Sequence, residues 1–90
     1  MVNINYFTEI VSEASVVKPL DCTSISFENL GTSDCTIMAN IPLNPGDDER
    51  KFKNHPGEII KSSFPVSFSG VGTKKILVTR TFAEIEKNCK

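Results

Sequence analysis

Residues 24–46, SISFENLGTSDCTIMANIPLNPG, constrain this chain more than any other stretch. Ile25 and Phe27 alternate with Ser24, Ser26 and Glu28, the period-two pattern of a strand wetted on one face. Asn29-Leu30-Gly31-Thr32-Ser33-Asp34 then gathers turn formers: Gly31 tolerates positive φ, and Asn, Ser and Asp side chains bond nearby backbone. Cys35, Ile37 and Ala39 alternate with Thr36 and Met38 as a return strand, so the stretch reads as a β-hairpin. Pro45-Gly46 places proline and glycine where a type II turn requires them.

The same pattern continues downstream. Ile41 and Leu43 reach one side of an edge segment, where Pro42 is tolerated. Glu49 to Lys53 sets Phe52 inward between charges that discourage edge-to-edge pairing. Asn54-His55-Pro56-Gly57 is a further turn. Phe64, Val66 and Phe68 share a face, and Gly70-Val71-Gly72-Thr73 reads as a hairpin loop. Lys74 to Phe82 is the longest β-prone run, with Ile76, Val78 and Phe82 inward. Leu77 is apolar on the opposite face, which predicts cover there from the N-terminal arm or another subunit.

Residues 1–20 support two readings. Val2, Ile4 and Tyr6 alternate as a strand does, whereas Phe7, Ile10, Val11, Ala14 and Val17 recur at helical spacing. Pro19 ends either element by driving Lys18 out of the α region. The expected organisation is an N-terminal arm or short helix over 1–20, a β-sandwich over 21–82 and a C-terminal tail, helix-prone or frayed, over 83–90. Six or seven strands, spaced about 8–12 residues apart with turns between, predict an all-β fold, a small antiparallel β-sandwich. Its strand order is left open between jelly-roll and immunoglobulin-like. Phe27, Phe52, Phe64, Phe68 and Phe82 should supply most of the core.

Ninety residues make one domain near the lower limit of what folds unaided, so contacts between chains would help it. A net charge of −1 gives no whole-chain footprint for nucleic acid or anionic lipid. No apolar run is long enough to span a membrane. The N-terminus lacks a basic segment and carries Glu9 and Glu13, which argues against a secretory signal. Cys22, Cys35 and Cys89 are odd in number and without a CxxC pair, so all three are read as free thiols in a reducing compartment.

The side chains that could carry chemistry each have a plainer role. His55 is the single histidine and lies in a turn without a metal or catalytic partner. Asp47-Asp48-Glu49 lacks the spaced oxygen ligands of a calcium loop. Lys74, Lys75 and Arg80 with Phe82 could make a basic, aromatic strand for single-stranded nucleic acid, but a solvated strand end explains them. Gly70-Val71-Gly72 is too short for a phosphate loop, and Cys89 reads as a tail thiol. No catalytic, cofactor-binding or metal site is expected, and no cofactor.

From Ile25 to Arg80 the pattern I-S-F-x-N-x-G-T-S-x-x-T-I, I-P-L-x-P-G-D, P-G-E and V-S-F-S-G-x-G-T-K-x-x-L-V-x-R resembles small β-sandwich proteins of tailed bacteriophages and prophages. The resemblance implies a virion component made in the host bacterial cytoplasm: a capsid-decorating, neck or tail-ring, or fibre-attachment protein. Its partners would be other virion proteins and copies of itself. Two rival classes are a carbohydrate- or surface-binding module, which one Tyr and no Trp disfavour, and a small nucleic-acid-binding barrel, which the near-neutral charge disfavours.

Overall fold

The computed structural model describes residues 2–53 and 58–85. Eight strands form in chain order: β1 Val2–Val11, β2 Ser15–Val17, β3 Ser24–Asn29, β4 Asp34–Ile37, β5 Ile41–Pro42, β6 Arg50–Lys53, β7 Phe64–Ser69 and β8 Ile76–Ile85. They build two antiparallel four-stranded sheets, ordered β1-β8-β3-β6 and β2-β7-β4-β5. The described residues contain no helix. The fold is all-β, and the described residues hold one strand more than the upper sequence expectation.

The helical reading of residues 1–20 is corrected. Residues 2–11 pair with β8 over its full length, Val2 opposite Ile85 through Val11 opposite Ile76. Ten residues of continuous backbone pairing outweigh the helical spacing of a segment rich in Asn and β-branched residues, which are poor helix formers. Residues 83–85 likewise extend β8 and do not form a helix, because residues 2–4 lie opposite them. His55 and Cys89 fall outside the described residues, as does the whole of the expected 54–57 turn.

The expected 24–39 hairpin does not form either. β3 pairs with β6 and β8, while β4 pairs with β5 and β7, so the turn between them crosses from one sheet to the other. Ile25, Phe27 and Asn29 are buried from one side and Cys35 and Ile37 from the other. Alternation marks which side chains face inward, and a crossing satisfies it as well as a hairpin does. The return strand also stops at Ile37, since Met38 and Ala39 adopt positive φ of 55° and 64°.

Residues 70–75 make a second crossing in place of the expected hairpin, from β7 in one sheet to β8 in the other. The two crossings are stitched together. Leu30 N–H donates to Lys75 O at 2.8 Å, and Thr32 and Ser33 N–H both donate to Thr73 O at 2.9 and 3.0 Å. Buried Asn29 completes the first, accepting from Gly31 N–H at 2.9 Å and donating to Ser33 O and Leu43 O. The Asn44–Asp47 turn forms as the sequence predicts, with Gly46 at φ 88° and Asp47 N–H donating to Asn44 O at 3.0 Å.

Between the sheets, Phe27, Phe52 and Phe64 form an aromatic cluster with centroids 5.1–6.0 Å apart. Phe68 and Phe82 are half-buried and pack against the wider core. Sequence periodicity underweighted Val11, Val17, Leu43 and Ile60, all buried. Leu43 and Ile60 lie outside any strand; Leu43 N–H donates to Cys35 O and Ile60 N–H to Cys22 O, both at 2.8 Å. Cys22 and Cys35 are buried free thiols.

Candidate interaction surface

Each sheet has two edge strands, and three of the four edges carry devices that blunt strand pairing. β6 bears Arg50, Lys51 and Lys53; β5 is two residues long and contains Pro42; β2 is three residues long. Short length, proline and cationic side chains are the usual protections of an exposed edge. β1 is ten residues long and carries neither proline nor a cation, and its one inward-facing charge, Glu9, is paired with Arg80. It pairs only with β8 among the described strands.

Residues 4–10 of β1 are all exposed. Strand alternation divides them between two faces. Ile4, Tyr6 and Ile10 lie on the outer face, opposite Ala83, Thr81 and Leu77. Phe7 and Glu9 lie on the inner face, opposite Arg80 and Val78. Beneath that inner side, next to β2, a recess of about 340 Å³ is lined by Phe7, Glu9, Val16, Leu20 and Arg80 among others. Of ten exposed large apolar residues described, six (Ile4, Tyr6, Phe7, Ile10, Val16 and Leu20) gather at this side of the sandwich. Leu77 is half-buried by its sheet neighbours: the N-terminal segment lies beside β8, in the sheet, and does not cover its outer face.

Arg80 fixes the inner side of this edge. Its side chain is 3% exposed. Nε–H donates to Lys18 O at 2.9 Å, tying β8 to the segment after β2. Its Nη1 lies 2.9 Å from Glu9 Oε1, yet no N–H is aimed to make an angular hydrogen bond there. The contact is therefore an ion pair held by charge and proximity. The guanidinium also sits over the Phe7 ring, 5.3 Å from its centroid, where the ring face attracts a cation. The sequence reading that put Arg80 on a solvated basic strand is overturned. Lys74 and Lys75 are exposed, but Arg80 is interior and committed to Glu9, Lys18 and Phe7. The signal was present: Arg80 has the same strand parity as Ile76 and Val78.

The remaining candidates stay apart. Asp47 spends its carboxylate on its own turn, accepting from Asn44 N–H at 2.8 Å. Among the described residues no group of three or more His, Cys, Asp or Glu side chains could hold a metal. No described helix is long and apolar enough to cross a membrane. A second recess, of about 570 Å³, opens between the β5 and β6 edges over Phe52, Ile41 and Ile60. Burial pushes the Cys22 thiol upward in pKa and Cys35 up to about 11, leaving both protonated and poorly nucleophilic at neutral pH.

No protein-family model, curated protein or solved structure matches the chain.

Proposed function

We propose that the chain is a non-enzymatic structural subunit of a tailed-phage virion, a decoration, neck or tail-ring, or fibre-attachment component, acting through protein–protein contacts in symmetric copies. One observation carries the assembly reading: among the described strands, a ten-residue edge without proline or cations is left open on β1 while the other three edges are blunted. Such an edge accepts an added strand, main-chain bonds giving affinity and alternate side chains giving specificity.

Strand order supports the virion reading within that class. β1 pairs with β8, β2 with β7, β3 with β6 and β4 with β5, a nested set. That nesting is the mark of an eight-stranded jelly roll, an architecture of viral capsid and lectin domains. An immunoglobulin-like sandwich would pair more of its consecutive strands as hairpins; here β4 and β5 alone do so. Because lectins share the architecture, a carbohydrate-binding module is the second reading, and a glycan-binding screen separates the two.

Light scattering on the purified chain across a concentration series tests assembly. A discrete oligomer that survives dilution, and is lost in Tyr6→Lys with sheet content retained, is the expected result. A wild-type chain that stays monomeric would overturn assembly through its own copies.

A further inference from the structure

We propose that the β1 edge binds the β1 edge of a second copy, antiparallel about a two-fold axis through Phe7, joining two four-stranded sheets into one of eight. The inference rests on the assembly reading and adds the partner, the symmetry and the register.

The partner follows from the edges. Head-to-tail growth through strand pairing needs two open edges on each copy, and among the described strands β1 is the one unblunted edge. A single open edge is satisfied within a homo-oligomer by pairing with itself, which closes the assembly as a dimer.

The register follows from the side chains. In antiparallel pairing about an axis normal to the sheet, opposed residues lie on the same face and so have the same parity. Centring on Phe7 sets Ile4 opposite Ile10 twice, Tyr6 opposite Thr8 twice, and Phe7 opposite Phe7. The Ile–Ile and Phe–Phe pairs are of the kind that stabilises a sheet, and Tyr–Thr pairs an aromatic with a β-branched residue. Centring on Tyr6 instead would set Ile4 opposite Thr8 and Phe7 opposite Asn5, mixing apolar with polar. Charge agrees with the first choice. Glu9, the one charged residue of β1, falls opposite Asn5 and not opposite its own kind, and Arg80 already neutralises it. The recess under Phe7, with Val16 and Leu20 both 55% exposed, leaves room for the second copy's ring on the inner side.

Cysteine cross-linking tests the pairing in a full-length chain whose Cys89 is replaced by serine; Cys22 and Cys35 are buried. A residue on the two-fold faces itself at about 4.5–5.5 Å between Cα atoms, within disulfide reach. Phe7→Cys should therefore form a covalent dimer on mild oxidation, roughly tenfold faster than Thr8→Cys, whose copies lie beyond the ~7 Å limit. A second pair avoids touching Phe7: Ile4→Cys chains mixed with Ile10→Cys chains should cross-link, and neither should do so alone. An oligomer by light scattering in which neither link forms would overturn the pairing and leave the assembly reading standing. A monomer with no cross-link would overturn the pairing, and with it assembly through like copies.

Discussion

Arg80 is a cation placed where a hydrophobic residue would serve the core, and its cost depends on Glu9. Removing one partner of a buried pair leaves an uncompensated charge, whereas replacing both partners with apolar or neutral residues of similar volume is often neutral or better. Glu9 is half-exposed, so water recovers part of the loss. Glu9→Gln should lower unfolding free energy by about 1–2 kcal/mol, below the 3–5 kcal/mol of a fully buried pair. Adding Arg80→Met to Glu9→Gln removes both charges together, and that second change should be near neutral or stabilising. Urea unfolding midpoints check both, and a strongly destabilised double variant would show that the bond to Lys18 O dominates. The thiols give a pH signature. Cys35 holds its proton to about 11 when folded, against 9.0 for an ordinary thiol. The unfolded chain releases that proton first, so stability is full below pH 9 and falls as pH rises toward 11, with Cys22 acting in the same direction. The loss should reach about 2–3 kcal/mol, read from urea titrations at pH 7 and pH 10.5. A Cys35→Val chain should lose less over the same interval.

At the scale of elements, the two crossings that join the sheets depend on close backbone approach. A methyl group at Gly31 would collide with the Thr73 carbonyl oxygen and lie 2.9 Å from Lys75 N, atoms that cannot turn aside. Gly70, at φ 78°, has open space around it. Gly31→Ala should thus cost about 2–3 kcal/mol from overpacking, and Gly70→Ala about 1 kcal/mol from left-handed strain alone. Thermal unfolding of the two variants orders them; a reversed order would mean the crossings give way easily. These turns also mark the limit of what could be read beforehand. Gly31, Asn29 and the inward sets Ile25/Phe27 and Cys35/Ile37 were legible as turn and strands, because turn chemistry and period two are local. Whether such a turn reverses within a sheet or passes to the opposite one is set by strands far along the chain, β8 above all. Local periodicity holds no record of them.

For the whole molecule, the all-β class and most inward residues were visible in the pattern of short alternating runs. The open edge was not. β1 showed both strand and helix spacing, and its role as an edge follows from its pairing with residues 76–85. The absence of Lys, Arg and Pro from residues 2–11 was in the sequence throughout, but it acquires meaning only once that segment lies at the rim of a sheet. Nor did local reasoning find the partner of Arg80, since Glu9 and Arg80 meet through a pairing between the two ends of the fold.

The nested pairing of strands governs the order in which this chain can fold. β4 and β5 close a turn of a few residues, while β1 must find β8 across nearly the whole chain. Each inner pair, once formed, shortens the loop that the next pair must close, so the outermost pair is the last and slowest step. β8 lies between β1 and β3, so their shared sheet cannot assemble until residues 76–85 are available. During synthesis, the apolar N-terminal strand therefore waits for the C-terminal one. In that interval a β1 strand from a neighbouring chain should compete for the same backbone bonds, so the yield of refolded protein is expected to fall as chain concentration rises.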